Sequence, residues 1–235
     1  GILSVSCLTL LAVLSKENGI LVLLLCGVVE LCFFRLKTSE NVSRIKVLVY
    51  QAVLIAPLIF VVGYLAVVYF TNSESILESR RFDSHTRLLT QFRVMFDYLS
   101  WFFVPSESFL VFHHDYYQVS ENLLTPVSTL GAMIFWSLVS VSCIYSIYSK
   151  KLIWLSFGVV WFLVAHWLES SVINLEIAFE HRNYLPYVGL CFSLAIFRGV
   201  HLLQHFHSHF FTFFRRRMSP IGIRPSWGAI IFVSR

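Results

Sequence analysis

Residues 178–189 read Ala-Phe-Glu-His-Arg-Asn-Tyr-Leu-Pro-Tyr-Val-Gly, a polar block between two apolar runs. At its centre, Glu180 to Asn183 place four ionisable or amide side chains in a row. Ionisable side chains at a membrane boundary are costly unless they are paired or functional. The block therefore predicts a functional site where one apolar run ends and the next begins.

The composition of the whole chain is that of a polytopic membrane protein. Of the 235 residues, 57% are hydrophobic and 13% are charged, and the mean hydropathy is +0.73. Soluble domains contain about 25% charged residues. The apolar runs are too long, and alternate too little, for the strands of a membrane barrel. The predicted fold class is all-α, a helical membrane bundle.

The net charge of +5 does not indicate that the protein binds nucleic acid. The basic residues gather in short clusters beside apolar runs, which is the distribution of cytoplasmic membrane flanks: Arg35 to Lys46, Lys150 and Lys151, and Arg215 to Arg217. All five cysteines lie inside apolar runs, so we expect them to pack as small hydrophobic residues rather than to form disulfides.

The apolar runs predict about six membrane-spanning helices with both ends in the cytoplasm. These runs are Ile2 to Ser15, Ile20 to Leu36, Val47 to Phe70, Thr125 to Tyr148, Leu152 to Leu168 and Leu185 to Phe206. Residues 1–206 form the membrane domain, residues 71–125 an extracytoplasmic loop and residues 207–235 a basic cytoplasmic tail. No charged leader precedes Ile2, so no signal peptide is expected.

The long loop contains one predicted amphipathic helix, Arg87 to Phe103. Its apolar residues recur at three- and four-residue spacing: Leu88, Leu89, Phe92, Met95, Phe96, Leu99 and Phe103. A polar stripe lies opposite: Arg87, Thr90, Arg93, Asp97 and Ser100. A helix of this pattern is expected to lie in the membrane interface.

If the fifth span continues as a helix beyond the membrane, it carries a polar stripe toward Arg182. The stripe consists of His166, Glu169, Ile173, Glu176 and Glu180. It has two interpretations. It is a solvated face paired with nearby basic residues, or it is the wall of a site in which a carboxylate accepts a proton and Arg182 or Lys16 binds a phosphate.

Two groups of histidines have residue types that can bind a metal ion. His113, His114 and Asp115 favour positioning of a substrate or lid over binding of a divalent cation, because three adjacent side chains rarely converge. The second group lies at the cytoplasmic boundary, where an interfacial role is favoured: His201, His205, His207 and His209. No metal site is predicted, and a divalent cation stays the one cofactor alternative.

Four segments of the chain resemble the membrane half of polytopic GT-C glycosyltransferases, in particular bacterial relatives of the transmembrane and tetratricopeptide-repeat O-mannosyltransferases. They span about Leu8 to Arg198, and Phe179-Glu-His-Arg-Asn-Tyr-Leu-Pro186 is the most specific of them. The others are Leu14 to Asn18, Arg87-Leu-Leu-Thr-Gln-Phe-Arg93 and His114-Asp115.

The resemblance implies transfer of a sugar from a polyprenyl-phosphate donor to a hydroxyl of a protein or glycan, on the periplasmic face of a bacterial inner membrane. It implies that the main acidic catalytic residue lies upstream of Gly1, with Asp115 and Glu180 as alternatives, and that this chain is a fragment without the expected repeats. The implied substrate- and phosphate-binding residues are Lys16, Glu17, His114, His181, Arg182 and Asn183.

Two other functions use the same sequence features. A transporter or flippase of lipid-linked saccharides would line a path with these charges, although such proteins often contain internal repeats and midplane charges, which are not seen here. A noncatalytic membrane scaffold is the third hypothesis. The expected partners in the first case are the lipid-linked sugar, an acceptor and the bilayer, without nucleic acid.

Overall fold

The computed structural model describes residues 2–34, 44–71, 82–104, 117–173 and 175–199. Every regular element in these ranges is helical, which confirms the all-α class. The longer helices are α1 Ile2–Ser15, α2 Leu21–Val29, α3 Arg44–Thr71, α4 Ser84–Phe103, α5 Ser128–Ser149, α6 Ile153–His166 and α7, residues 184–199. Short 3₁₀ turns cover Glu17–Ile20 and Glu180–Asn183, and a π-helical turn, Glu30–Phe34, extends α2.

Among the described residues, two helices are long and apolar enough to cross a membrane, Val47–Thr71 and Ser128–Ser149. The segments Ser4–Ser15, Asn18–Phe34 and Ile153–His166 are apolar but shorter. All of them fall on predicted spans. The prediction of about six spans is therefore supported in position for these helices, and their number across the membrane stays a prediction.

The chain divides into two compact units, Gly1–Ser193 and Leu194–Arg235. The first contains α1 to α6 and the beginning of α7. Of the second, the structure describes residues 194–199, which are helical. The predicted tail, residues 207–235, and the four histidines from His201 to His209 lie outside the described residues.

Helix α6 is the centre of the first unit, because it contributes to each of three buried clusters. Phe162 packs with Tyr98 of α4 and Trp136 of α5. Val164 joins a second cluster with α2 and α3, and Phe157 joins a third around the end of α2. The ends of α6 are therefore fixed relative to most of the bundle.

Helices α6 and α7 are in close contact at two glycines. A Cβ on Gly189 would lie 2.4 Å from the Trp161 ring, and one on Gly158 would lie 2.3 Å from Ser193 Oγ. Trp161 Nε1 donates to the Leu185 carbonyl at 2.9 Å. Small residues allow helix backbones to approach closely, so this contact fixes the beginning of α7.

Helix α4 is present as predicted, and it begins with a capping box. The Asp83 carboxylate accepts from the Thr86 N–H at 2.8 Å, and Thr86 Oγ1 accepts from the Asp83 N–H at 3.0 Å, which satisfies two N–H groups at the helix start. Burial raises the pKa of the Asp83 carboxyl, but the hydrogen bonds from Thr86 outweigh it and leave the pKa below its ordinary value.

The buried face of α4 does not coincide with its apolar stripe. Arg87 and Thr90 of the polar stripe are 1% and 0% exposed, whereas Phe96 and Phe103 of the apolar stripe are 43% and 58% exposed. The face toward the protein carries Arg87, Gln91, Val94 and Tyr98. Arg87 and Gln91 turn inward because carbonyl groups of the segment after α6 require hydrogen-bond donors.

Candidate functional site

The segment after α6 does not continue the helix. Helix α6 ends at His166, residues 167–173 form turns, and residues 175–179 are irregular. The predicted stripe from His166 to Glu180 on one helical face is therefore wrong. The reason is that the carbonyl groups of this segment accept hydrogen bonds from α4 instead of from a helical ladder.

Arg87 supplies most of these bonds. Its Nε donates to the Ser171 carbonyl at 3.0 Å, and Nη2 donates to the Glu169 carbonyl at 3.1 Å. Nη1 donates to the Leu175 carbonyl, and both terminal nitrogens lie 3.3 Å from the Glu176 carbonyl. A guanidinium carries five donors in a rigid planar fork. One side chain can therefore fix four carbonyls of an irregular segment.

Two further side chains of α4 extend this anchoring toward residue 179. Gln91 Nε2 donates to the Ile177 carbonyl at 2.9 Å, and the Phe179 N–H donates to the Tyr98 hydroxyl at 2.7 Å. Burial raises the pKa of the Tyr98 phenol, which keeps it a neutral hydroxyl. Helix α4 thus fixes the path of residues 169–173 and 175–179 through these hydrogen bonds.

The anchored segment presents Glu169 to two cations from distant parts of the chain. Glu169 Oε1 lies 3.5 Å from Lys16 Nζ, and Oε2 lies 3.8 Å from Arg182 Nε. Asn18 Nδ2 also donates to Oε1. Lys16 is 62% exposed at the side chain, whereas Glu169 and Arg182 are 12% and 7% exposed. We call Lys16, Glu169 and Arg182 the charge cluster.

Lys16 reaches the cluster because the chain turns sharply after α1. The Lys16 N–H donates to the Ala12 carbonyl at 2.9 Å, and the Gly19 N–H donates to the Lys16 carbonyl at 2.8 Å. A Cβ on Gly19 would lie 2.3 Å from the Ala12 carbonyl carbon. Only a residue without a side chain fits against α1 here, which explains the glycine.

Arg182 is held by the short turn Glu180–Asn183 and by the anchored segment. Its Nη1 donates to the Glu176 carbonyl at 2.7 Å, the carbonyl that Arg87 also approaches. Its guanidinium carbon lies 5.9 Å from the centre of the Phe179 ring. The charge cluster therefore joins the end of α1, the segment after α6 and the entry to α7, at the end of α6 opposite Lys150 and Lys151.

Buried polar atoms lie beneath the cluster. His166 is 1% exposed, and its ring stacks on Tyr98 with centroids 5.1 Å apart. Asn183 is 4% exposed. His166 Nε2 and Asn183 Oδ1 make no hydrogen bond to any described residue. Burial of polar atoms without hydrogen bonds costs free energy. The buried side of the charge cluster, at His166 and Asn183, is therefore polar although it is closed to solvent.

The structure brings together only part of the predicted site. Lys16 and Arg182 meet at Glu169, and Asn183 is buried beside them. Glu17 begins the 3₁₀ turn after Lys16. His181 is exposed with its ring 4.1 Å from that of Phe179, and Glu180 is partly buried in the same turn. His113, His114 and Asp115 lie outside the described residues, and the described residues contain no group of three metal-ligating side chains.

Two central residues were not singled out from the sequence. Glu169 is one member of the predicted stripe after α6, and Arg87 is one member of the polar stripe of α4. The signal for Arg87 was its spacing: Arg87, Gln91, Val94 and Tyr98 follow one another at four, three and four residues, which defines a single buried face.

No protein-family model, curated protein or solved structure matches this chain.

Proposed function

We propose that this chain transfers a sugar from a polyprenyl-phosphate donor to a hydroxyl of a protein or glycan, on the extracytoplasmic side of a membrane that it crosses several times. The observation that carries the proposal is the convergence of Lys16 and Arg182 on Glu169. Lys16 and Arg182 lie 166 positions apart in the chain, each beside an apolar helix. Two cations so placed suit the phosphate of a lipid carrier.

The distances within the charge cluster support anion binding. Charge-assisted N–H···O bonds are about 2.7–2.9 Å long, whereas the two cations lie 3.5 and 3.8 Å from Glu169. A carboxylate paired at such distances leaves donors of both cations available to a phosphate. Lys16, which is the most exposed member, is the cation that a lipid phosphate reaches first.

In the proposed reaction, the acceptor hydroxyl attacks the anomeric carbon, the bond from that carbon to the phosphate oxygen breaks, and the lipid phosphate leaves. Lys16 and Arg182 stabilise the charge on the leaving phosphate. The hydroxyl proton passes to a carboxylate, for which Glu180 and Asp115 are the proposed residues. Glu169, already bound by Asn18 and two cations, is assigned to orienting those cations.

The test is transfer of labelled sugar from a polyprenyl-phosphate donor to acceptor in membranes that contain the full-length gene product. We expect Arg182→Ala to lower the transfer efficiency about 10- to 100-fold, since a hydrogen bond to a charged group contributes about 1.5–3 kcal/mol. Glu180→Ala is compared in the same assay as the proposed base variant.

The matched control is Lys151→Ala, which removes an exposed cation at the opposite end of α6 and is expected to leave transfer unchanged. Normal transfer by Arg182→Ala at equal protein level would make the charge cluster a structural ion pair. Absence of transfer even by the unaltered protein, together with uptake or flipping of the lipid-linked sugar, would favour the transporter hypothesis.

A further inference from the structure

We infer that Arg87 is a positioning residue for the proposed phosphate site, acting through Arg182 and Glu169 without itself contacting the phosphate. The inference rests on the proposed role of the charge cluster. It adds that the affinity of the cluster for an anion is determined by a side chain on α4, an element that contributes none of the charges in the cluster.

The first argument is that one guanidinium fixes both partners of Arg182. Arg87 donates to the Glu169 carbonyl at 3.1 Å, and so it fixes the backbone from which the Glu169 carboxylate projects. It also lies 3.3 Å from the Glu176 carbonyl. That same oxygen accepts from Arg182 at 2.7 Å, so Arg87 and Arg182 share an acceptor.

The second argument is burial. Arg87 is 1% exposed and is among the largest fully buried side chains of the described residues. It therefore cannot reach an anion that arrives at Lys16, whose side chain is 62% exposed. Its hydrogen bonds to the carbonyls of residues 169–176 are its contribution to the site, because an irregular segment has no helical ladder to hold those carbonyls.

The third argument is chemical. Lysine keeps the charge of arginine but has three donors on one nitrogen, which cannot span four carbonyls in a plane. If Arg87 acted through its charge alone, Arg87→Lys would preserve anion binding. If it acts by fixing the segment, Arg87→Lys will lose affinity although the charge is retained.

The experiment measures binding of farnesyl phosphate, as a short prenyl phosphate, to the full chain in detergent micelles. The variants are Arg87→Lys, Arg182→Gln and the double variant, with Arg93→Lys as the matched control. Arg93 lies on the same helix and binds the Gln118 carbonyl at 2.9 Å, away from the cluster. Arg87→Lys and Arg182→Gln are each expected to lower the affinity for farnesyl phosphate about tenfold. The control Arg93→Lys is expected to lower it less than about twofold.

The double variant decides how Arg87 acts. Residues that act through one another are not additive, so the double variant is expected to bind about as weakly as either single variant. Multiplied losses, near 100-fold, would overturn the inference, as would unchanged affinity of Arg87→Lys. If Arg182→Gln binds as tightly as the unaltered protein, the proposed phosphate site itself fails, and the inference fails with it.

A second measurement applies if the Arg87 variants do not fold. Coupling between two events is reciprocal, so phosphate binding must stabilise the segment that Arg87 holds. We expect farnesyl phosphate to slow hydrogen exchange of residues 169–179 in the unaltered protein at least fivefold, with α5 unchanged. Equal exchange with and without the ligand, at saturating concentration, would contradict the inference.

Discussion

Gly19→Ala tests how the turn after α1 delivers Lys16 to the charge cluster. The added Cβ would lie 2.3 Å from the Ala12 carbonyl carbon and 2.4 Å from the Val13 nitrogen. Ordinary van der Waals contact begins at 3.4 Å, so the two backbones must separate by about 1.1 Å, from 3.4 minus 2.3. Both neighbours are backbone atoms of α1, which cannot rotate away.

The expected cost is at the upper end of the range for overpacking, about 1–3 kcal/mol. The separation also moves Asn18 and Lys16, which bind Glu169. We therefore expect Gly19→Ala both to lower the unfolding midpoint and to weaken binding of farnesyl phosphate. The assay is thermal unfolding in one detergent at one scan rate, followed by the binding measurement on folded protein.

The control is Gly27→Ala in α2, where a Cβ would meet nothing within 4 Å. Alanine is favoured over glycine inside a helix by about 0.5–1 kcal/mol, so this variant should unfold at the same or a higher temperature. Equal midpoints for Gly19→Ala and Gly27→Ala would refute the packing of the turn against α1. A lowered midpoint with unchanged phosphate affinity would refute its link to the site.

Three further outcomes are expected. Gly189→Ala should lower the unfolding midpoint by separating α6 from α7, whereas Gly63→Ala, which faces open space, should not; equal midpoints would argue against the close contact. Asp83→Ala should destabilise by about 1 kcal/mol through loss of the capping box, and Thr86→Ala by a smaller amount. The pKa of Asp83 in the folded protein lies below its ordinary value. Its contribution to the free energy of unfolding is therefore present above about pH 4 and is lost as the pH falls further. The unaltered protein and Asp83→Ala should then have the same stability in acid. Trp136→Phe should lower the free energy of unfolding by about 1 kcal/mol, because Trp136 Nε1 donates to the Phe92 carbonyl at 3.0 Å; an unchanged midpoint would argue against that bond.

The helices could be predicted from the sequence because each depends on its own residues. The apolar runs predicted α1, α3, α5 and α6 to within a few residues, and the spacing of apolar residues predicted α4. The path of the chain after α6 could not be predicted. Residues 167–173 contain nothing that forbids a helix, and the segment leaves the helix because donors for its carbonyls arrive from α4.

Only part of the candidate site could be predicted from the sequence. Lys16 and Arg182 can be predicted as site residues because they are charges beside apolar runs. Their common partner, Glu169, cannot, because it depends on a contact between distant parts of the chain that residue spacing does not encode. The burial of Arg87 does not follow from the polar stripe of α4, because an arginine at a helical position is most often solvated. A buried arginine becomes favourable only when several acceptors surround it, and those acceptors are backbone atoms without a sequence signature.

The anchoring of residues 169–179 by α4 has a consequence for which substitutions the protein will accept. The hydrogen bonds between α4 and the segment are made by backbone groups of the segment, its carbonyls and the Phe179 N–H, so these bonds do not depend on which side chains the segment carries. The path of the segment depends on its hydrogen bonds to the side chains of Arg87, Gln91 and Tyr98. Changes to the inner face of α4 should therefore alter the path of a segment more than 80 residues away in the chain.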